Sequence, residues 1–276
     1  MPRQNFATFA VVRERFADIE FRRQLDPAAA VFVKSSVHDS FTSEVAGLEA
    51  LRGTDSIRVA EVIGIGSRDG EHLLVLEAIE SRKPTDDFFE RFARKLAAMH
   101  RHPAPSNRFG FPQDNFLGAT PQRNQWQSNW VEFWVEQRLG FQLALADDSG
   151  HGGQELQQLG ERIKNRLGEL IGNSEEQPAL IHGDLWSGNW ICDAANEVAI
   201  IDPAAYYAHR EAEFGMTTLY GGLPKRFYDA YHEAAPLQQG WQERVAIYRL
   251  YHLLNHLNLF GVCYLGQCLE LMRRYQ

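Results

Sequence analysis

The sequence feature that most constrains this chain is the segment 182–189, which reads HGDLWSGN and is followed at residues 200–203 by IIDP. Asp184 and Asn189 lie on one short loop, so both side chains can face a common point. The residues between the two segments can form a hairpin, which would return Asp202 to the neighbourhood of that loop. The sequence therefore predicts that two carboxylates and one amide oxygen converge.

This convergence suits phosphoryl transfer. Carboxylate and amide oxygens are ligands that Mg²⁺ accepts when phosphate and water complete its coordination shell. One carboxylate remains to take a proton from a substrate hydroxyl, and positioning with charge neutralisation supplies most of the catalysis of phosphoryl transfer. The alternative is that these residues only make turns at strand ends. The HGDxxxxN spacing, together with a downstream apolar-apolar-Asp, favours the functional interpretation.

Composition excludes several classes of function. The chain has 36 acidic and 28 basic residues, which gives a net charge of −8. It lacks the clustered positive charge that a nucleic-acid-binding surface needs. The three cysteines, Cys192, Cys263 and Cys268, form no CxxC pair, which is typical of a reducing compartment. The sequence contains no signal-like apolar stretch at its start and no apolar run of about 18 residues. We therefore expect a soluble, cytoplasmic protein without a nucleic-acid or membrane partner.

The order of predicted elements divides the chain near residue 80. Residues 1–80 are predicted to form strands and one helix, and residues 81–276 mainly helices, which indicates an α+β chain. A chain of this length is expected to contain about two domains, or one domain with two lobes. The predicted strands are 28–35, 59–65 and 72–79, the last two joined by the turn at Asp69-Gly70, with a hairpin of 190–192 and 198–201 later in the chain. The predicted helices run from Thr42 or Ser43 to Gly53, from near Asp86 to His102, and over about 126–145, 154–171 and 241–268.

Longer segments carry a resemblance to a known family. HGDxxxxN followed by IID resembles the catalytic loop and metal-binding segment of the protein-kinase-like fold, in its aminoglycoside phosphotransferase branch. The wider match resembles the fructosamine kinase (ketosamine 3-kinase) family and runs from about Phe32 to the C-terminus. The matching segments are FGF at 109–111, TPQRNQW at 120–126, DLWSGN at 184–189, DPAAYY at 202–207, HREAE at 209–213, the stretch 216–222, and LYHLLNHLNLFG at 250–261.

The resemblance implies a two-lobed kinase that uses ATP and Mg²⁺, with residues 1–80 as the ATP-binding lobe and residues 81–276 as the catalytic and acceptor-binding lobe. Members of the family phosphorylate the 3-hydroxyl of a ketose attached to an amine, and the product then decomposes and frees the amine. This is a deglycation-repair activity. By position, Asp184 is the base, and Asn189 and Asp202 are the metal ligands, in agreement with the roles argued from the residues themselves.

On the nucleotide side, Lys34 ends a predicted apolar strand and Glu44 follows in the first turn of the next helix. This arrangement could hold ATP phosphates as the Lys–Glu pair of kinases does. The alternative is a lysine whose stem lies along the surface and a glutamate favoured by the helix dipole. The segment around Glu77 and Ile79 occupies the position of the kinase hinge, where the carbonyl of Glu77 and the amide of Ile79 would bind adenine.

One departure from the family concerns the cover over the phosphates. The first glycine in the chain is Gly47, so residues 16–27 would have to supply any cover without glycine's conformational freedom. Arg22 and Arg23 could contact phosphate, but we expect them to be solvated surface residues. How the phosphates are covered, and which nucleotide is preferred, stay open.

On the acceptor side, Trp186 lies two residues beyond the expected base and could stack on a sugar or attract an ammonium group; the alternative is a core tryptophan that braces the loop. His256 interrupts an apolar helix, and either a core role or an acceptor role is open. The segment 209–213 is expected to be structural, binding the residues after Asp202 to the larger lobe. No role is derived for the family-like residues Gln122, Asn124 and Trp126.

Two other functions compete with a ketosamine kinase. One is a related kinase of aminoglycosides, choline or another amino alcohol, which would share HGDxxxxN but is not expected to share DLWSGN and NHLNLFG. The other is a catalytically weak nucleotide-binding or regulatory protein, which the absence of a glycine-rich segment suggests and the complete set of Lys34, Asp184, Asn189 and Asp202 opposes. The sugar and its amine carrier stay open, and we expect a monomer or a weak homodimer.

Overall fold

The computed structural model describes residues 3–16, 19–172 and 176–275. The first part of the chain is rich in strands, as the sequence predicts. Its elements are β1 (Arg3–Thr8), α1 (Phe9–Arg15), β2 (Glu20–Phe21), β3 (Ala30–Ser36), α2 (Phe41–Arg52), β4 (Arg58–Val59), β5 (Val62–Arg68) and β6 (Glu71–Glu77).

Five of these strands form one antiparallel sheet in the order β1-β3-β6-β5-β2. The predicted turn between β5 and β6 is present: Arg68 pairs with Glu71, and Asp69 and Gly70 have φ values of +52° and +79°. Such left-handed residues are those of a two-residue hairpin turn whose twist matches that of the strands. The strands pair right up to this tight turn, so β5 continues to Arg68 and lies about three residues later than the predicted strand 59–65. β6 ends two residues before the predicted end at residue 79.

The start of α2 also differs from the prediction. The helix begins at Phe41 with Ser40 at its N-cap, two or three residues before the predicted cap at Thr42 or Ser43. The hydroxyl of Thr42 instead donates a hydrogen bond to the carboxylate of Asp39 at 3.2 Å. The helix ends at Gly53, as predicted.

The described part of the segment 16–27 does not lie over Lys34, the residue expected to contact the phosphates. β2 forms one edge of the sheet and β1 the other, whereas Lys34 lies on β3 beside β1. Arg22 and Arg23 are surface residues, as expected, and form ion pairs with Glu49 and Glu61. A second apolar cluster lies on the outer face of the sheet and is built from Phe9, Val12, Phe16, Ile19, Val31, Ile63, Leu73 and Val75.

The remainder of the chain is mainly helical and carries three small pairings of short strands. Its strands are β7 (Asn115–Leu117), β8 (Thr120–Gln122), β9 (Ala179–Ile181), β10 (Trp190–Cys192), β11 (Val198–Ile200) and β12 (Tyr206–Ala208). Its helices are α3 (Phe88–His100), α4 (Trp130–Phe133), a π-helical segment (Trp134–Leu139), α5 (Gly140–Asp148), α6 (Gly153–Ile171), α7 (Glu213–Thr217), α8 (Lys225–Ala234), α9 (Trp241–Phe260) and α10 (Leu265–Arg273).

The predicted helix over 241–268 is in fact two helices. α9 ends at Gly261, whose φ of +85° lies in the left-handed region that glycine tolerates and a continuing helix cannot use. A short 3₁₀ turn over Val262–Tyr264 then leads into α10. The amphipathic pattern continued across Gly261 because both helices bury apolar residues against the same core.

The two parts of the chain meet at the hairpin of β10 and β11, which forms as predicted. β11 also pairs in parallel with β4 from the first part of the chain. On α2, a Cβ at Gly47 would lie 3.3 Å from the ring of Pro203 and 3.4 Å from Ala205, so the absence of a side chain permits this close packing. The boundary near residue 80 stays a prediction. Within the described residues, no helix is long and apolar enough to cross a membrane.

Candidate active site

Asp184 and Asn189 lie on the loop between β9 and β10, and Asp202, which follows β11, lies next to them, as the sequence predicts. The side-chain nitrogen of Asn189 donates hydrogen bonds to the backbone oxygen of Asp184 at 2.8 Å and to its carboxylate at 3.1 Å. The same nitrogen lies 3.5 Å from the backbone oxygen of Asp202. Asp202 follows β11 with a φ of +54°. Left-handed backbone at a non-glycine residue is uncommon, and such outliers cluster at functional sites.

Gly183 is required by the close approach of the two segments. Its φ is +82°, and a Cβ there would lie 2.2 Å from the backbone oxygen of Ala204. The neighbouring backbone N–H of Ala204 donates to the carbonyl of His182 at 2.9 Å. No larger residue fits between these segments without moving the loop that carries Asp184.

His182 connects the same two segments through its ring. The N–H of Asp184 donates to Nδ1 of His182 at 3.2 Å, so Nε2 carries the proton and donates to the carbonyl of Ile201 at 2.8 Å. Burial lowers the pKa of this imidazole. A neutral His182 therefore holds the residue before Asp202 against the loop of Asp184.

The sequence does not predict the contact of Glu213 with the backbone of the catalytic loop. Its carboxylate accepts hydrogen bonds from the backbone N–H groups of His182 at 2.6 Å and Gly183 at 3.0 Å, and Nε2 of His100 lies 3.4 Å away. Burial alone would raise the pKa of Glu213, but His100, His182 and the backbone donors outweigh it and lower the pKa. The sequence predicts that the segment 209–213 binds the residues after Asp202, whereas Glu213 binds the residues before Asp184.

The electrostatic surroundings of Asp184 differ from those of an ordinary carboxylate. Burial raises its pKa well above the usual value, the hydrogen bond from Asn189 opposes this, and the charges of Asp202 and Glu213 add to it. A carboxylate with a raised pKa is a stronger base than an exposed one. This property suits a residue that takes a proton from a hydroxyl group.

Lys34 lies between two carboxylates. Its ammonium group is 2.7 Å from Glu44 and 2.6 Å from Asp202, and the lysine is only 3% exposed. Burial alone would lower the pKa of Lys34, but the two carboxylates outweigh it and raise the pKa. The structure therefore brings the predicted Lys34–Glu44 pair together and joins it directly to Asp202.

Two cavities meet at Asp202. One, of about 240 Å³, is lined by Phe6, Phe32, Ala60, Leu76, Glu77, Ile79, Ser81, Gly188, Ile191, Ile201 and Asp202. It includes both predicted hinge residues, and the side chain of Glu77 turns away to Arg58 at 3.2 Å. An apolar slot beside backbone groups at the end of a strand fits a flat heterocycle.

The second cavity, of about 480 Å³, contains the predicted catalytic residues. It is lined by Lys34, Ser40, Ser43, Glu44, Asn115, Phe116, Gly118, Ala119, Asp184, Trp186, Asn189, Asp202, Pro203, Leu259 and Phe260. A larger cavity of about 820 Å³, between the end of α3 and the residues after α8, contains none of the predicted site residues.

Trp186 lies at the edge of the second cavity and is 38% exposed, so it is not a core residue. A Cβ at Gly188 would lie 2.4 Å from its indole ring, which shows that the ring rests on this glycine. His256 does not line the cavity. It lies behind Tyr220, with ring contacts to Phe260 and Tyr264.

The family-like residues Gln122 and Asn124 belong to a buried polar network. Gln122 donates to the carbonyl of Ala204 at 3.0 Å and to the side chain of Asn115 at 2.8 Å. Asn115 in turn donates to the carbonyl of Ala205 at 2.9 Å, and Asn124 donates to Asn115. This network holds the backbone that follows Asp202. Trp126 packs on Tyr207, outside the lining of both cavities.

Few protein side chains are available for a metal ion. No group of three or more His, Cys, Asp or Glu side chains in the described ranges could hold one. Asp202 and Asn189 supply one carboxylate and one amide oxygen, which fits Mg²⁺ because this ion keeps several waters and uses substrate phosphates as ligands. The donor set suits a metal that arrives with a nucleotide.

Comparison with known sequences identifies similar proteins. The profile of the family described as fructosamine kinase matches residues 19–276. A protein named "Probable ketoamine kinase" from Synechocystis is 42% identical over 234 residues, which cover 85% of this chain and 78% of that protein. The chloroplastic protein-ribulosamine 3-kinase of Arabidopsis thaliana is 42% identical over 236 residues, which cover 85% of this chain and 72% of that protein.

Solved structures give the same result. A crystal structure titled "putative fructosamine-3-kinase" from Thermobifida fusca has a TM-score of 0.83 and 32% identity, covering 96% of this chain and 98% of that one. An aminoglycoside phosphotransferase has a TM-score of 0.61 at 12% identity, covering 97% of this chain and 99% of that one, which shows a shared fold alone. The predicted α+β, protein-kinase-like fold is thereby confirmed.

Proposed function

The chain belongs to the fructosamine kinase family, and we propose on that premise that it transfers the γ-phosphate of ATP to the 3-hydroxyl of a ketosamine. The observation that carries the proposal is the convergence of Lys34, Asp184, Asn189 and Asp202 around one cavity whose edge is Trp186. This set supplies the groups that phosphoryl transfer requires. The names of the relatives, ketoamine kinase and ribulosamine 3-kinase, support a ketosamine as the acceptor.

On the nucleotide side, adenine would occupy the 240 Å³ cavity beside Glu77 and Ile79. The ammonium of Lys34, held by Glu44, would contact the phosphates at the point where the two cavities meet. Asp202 and Asn189 would hold Mg²⁺, which when bound would neutralise phosphate charge. The burial of Lys34 and its contacts with two carboxylates support this role.

On the acceptor side, Asp184 would accept the proton of the ketose 3-hydroxyl. The hydroxyl oxygen forms a bond to the γ-phosphorus as the bond between that phosphorus and the bridging oxygen of ADP breaks. The raised pKa of Asp184 makes it a suitable proton acceptor, and Asn189 fixes its carboxylate by hydrogen bonding. Trp186 would lie against the sugar and hold it in line with the phosphate.

The alternative kinases of aminoglycosides or choline are less well supported, because the similarity to an aminoglycoside phosphotransferase lies at the level of fold. A catalytically weak nucleotide-binding protein is disfavoured by the complete and connected set of catalytic side chains. A cytoplasmic location and a monomer or weak homodimer remain part of the proposal; the free thiols of Cys192, Cys263 and Cys268 are consistent with a reducing compartment.

The proposal is tested by ATP turnover with candidate acceptors. Wild-type protein is incubated with Mg·ATP alone, with fructose-, ribulose- and erythrulose-amines on one lysine derivative, and with an aminoglycoside and choline. We expect ADP release to require a ketosamine. Turnover driven by the aminoglycoside or choline but by no ketosamine would support the related kinases, and no turnover with any acceptor would support the nucleotide-binding protein.

A further inference from the structure

Tyr220 lies beside Trp186 at the acceptor edge of the site, within the family-like stretch 216–222, to which no site role was assigned. Its side chain is exposed, and its ring meets the ring of Trp186 edge-on with the centroids 6.3 Å apart. The phenol oxygen lies 3.3 Å from Nε2 and 3.4 Å from Nδ1 of His256, and 3.3 Å from the hydroxyl oxygen of Tyr264. Tyr220 therefore lies between the two residues predicted to bind the acceptor.

The contacts of this phenol are weak ones. Hydrogen bonds usually span about 2.7–2.8 Å between two hydroxyl groups and about 2.9–3.0 Å between nitrogen and oxygen, and each contact of Tyr220 is longer than these values. The phenol oxygen is also nearly equidistant from both ring nitrogens of His256, so it is aligned with neither. An exposed hydroxyl with long, shared contacts can exchange them for a ligand at little cost.

The backbone at Tyr220 is in an unfavourable conformation. Tyr220 has a φ of +51° and is followed by Gly221 and Gly222 with φ values of +91° and +69°. Left-handed backbone is readily adopted by glycine, but for a bulky aromatic residue it is an outlier. Outliers of this kind are found at ligand clamps and active sites. A third glycine would relieve the strain, yet the chain carries a tyrosine whose ring contacts that of Trp186.

The groups around this phenol are neutral hydrogen-bonding groups. The partial burial of the Tyr220 ring raises its pKa, with Tyr264 and the charge of Asp184 adding to the effect, so the phenol keeps its proton. Burial lowers the pKa of His256. Among the described residues, the polar contacts of Tyr220 are to His256 and Tyr264 and include no carboxylate. Neutral donors and acceptors suit the hydroxyl groups of a sugar better than they suit a cation.

We propose that Tyr220 is an acceptor-binding residue whose phenol, together with His256, hydrogen-bonds the ketose hydroxyls beyond the one that is phosphorylated. Asp184 would bind the reacting 3-hydroxyl, Trp186 lines the same cavity, and Tyr220 contacts Trp186 without lining that cavity itself. A ketose with a longer chain reaches Tyr220, and a four-carbon ketose offers it little. Tyr220 thus favours longer ketoses. This inference rests on the proposed function and specifies the sugar that the site selects.

The test is Tyr220→Phe, which removes the hydroxyl and keeps the ring. The kcat and KM are measured for erythrulose-, ribulose- and fructose-amines on one lysine derivative, together with the KM for ATP. One lost hydrogen bond to an uncharged partner corresponds to about three- to tenfold in binding. We expect kcat/KM for the fructose-amine to fall by that factor, mainly through KM. For the erythrulose-amine it should change less than about twofold, and the KM for ATP should stay the same.

Two further variants keep the result interpretable. Tyr275→Phe is a matched control, because its hydroxyl donates to the carbonyl of Glu243 at 3.0 Å and lines neither cavity; its kinetics should equal those of wild type. Tyr220→Gly relieves the left-handed backbone, so it should melt at the same or a higher temperature while losing the same preference for longer ketoses.

Each outcome decides the inference. An equal effect of Tyr220→Phe on all three ketosamines, or no effect, would overturn the assignment while leaving the proposed function in place. Failure of the wild type on every ketosamine would reject the proposed function itself, and the inference with it.

Discussion

The ammonium group of Lys34 lies 2.6 Å from the carboxylate of Asp202, so a strand near the start of the chain is joined directly to the loop that follows β11. Lys34 is buried, and Glu44 is its second partner at 2.7 Å. The pair connects the side of the site expected to bind nucleotide with the residues expected to hold metal. In the proposed mechanism, this contact would bring residues that are far apart in sequence to the same phosphate groups.

Asp202→Ala should weaken the binding of Mg·ATP by at least about tenfold, because it removes the carboxylate expected to hold the metal. Isothermal titration calorimetry with and without Mg²⁺ measures this directly. Lys34 retains Glu44 as a partner in the variant, which limits the damage to the fold. Asp229→Ala, an exposed residue paired with Lys225, is the control. Unchanged Mg·ATP affinity in Asp202→Ala would show that Asp202 is structural.

Trp186→Ala should lower kcat/KM for a ketosamine by about five- to thirtyfold, because stacking or cation–π contact in a partly desolvated site is worth about 1–2 kcal/mol. The KM for ATP should stay within about threefold, since the indole lies at the edge of the acceptor cavity. Trp126→Ala removes a half-buried indole that lines neither cavity and serves as the control. If Trp186→Ala stays folded and handles the ketosamine like wild type, then Trp186 only packs on Gly188.

Glu213→Gln should lower kcat with little change in either KM. The two carboxylate oxygens of Glu213 accept hydrogen bonds from the backbone N–H groups of His182 and Gly183, and an amide offers only one oxygen, so the loop of Asp184 would lose one of these two bonds. A buried group left without its partner also costs about 1–3 kcal/mol of folding free energy. Glu211→Gln is a matched control, because Glu211 is equally buried but binds Arg244 at 2.6 Å rather than the catalytic loop.

Both glutamine variants are assayed well below their melting temperatures. We expect both to be less stable than wild type and only Glu213→Gln to lose kcat. Equal losses of kcat in the two variants would mean that Glu213 acts on stability alone and does not position the loop of Asp184.

His209 should make folding stability depend on pH. Burial, with the charge of Arg244 adding to it, lowers the pKa of His209 to about 3. The unfolded chain, with a pKa near 6.5, binds a proton between pH 6.5 and 3 that the folded chain does not. Stability from this group is therefore complete above pH 6.5 and declines as the pH falls, by about 2 kcal/mol at pH 5.

His209→Phe keeps a ring against Trp130 and removes the titrating group. Urea unfolding at pH 8 and pH 5 should show a decline smaller by about 2 kcal/mol in this variant than in wild type. His102→Phe, an exposed histidine, controls for the loss of one imidazole. The same decline in His209→Phe and wild type would show that His209 does not account for the acid sensitivity.

The proximity of Asp184, Asn189 and Asp202 could be predicted because these residues are close in sequence. Asp184 and Asn189 share one loop, and a hairpin with short strands returns Asp202 to them, so spacing alone implies their convergence. The pairing of Lys34 with Glu44 follows from a strand and the helix after it, and the two charged groups lie 2.7 Å apart. Each of these predictions needed only one or two elements to be right.

The contacts of Glu213 and Tyr220 could not be predicted in this way. Glu213 binds the backbone of His182 and Gly183, and backbone groups leave no mark in the sequence. Tyr220 meets His256 because α9 packs beside the turn after α7, which is a tertiary relation. β1 and α1 were also missed, because short elements at the edge of a sheet have too few residues to establish a periodicity.

The most direct test of the account is the position at which the acceptor is phosphorylated, with Asp184→Asn as the paired variant. Purified protein, Mg·ATP and a ribulose- or fructose-amine of a lysine derivative are incubated, and the product is assigned by ³¹P and ¹³C NMR. We predict a single phosphate ester at carbon 3 with wild type. Asp184→Asn should lose about a hundredfold or more in rate while still binding ATP. Phosphate at another carbon, no ester with any ketosamine, or wild-type turnover by Asp184→Asn would contradict the account.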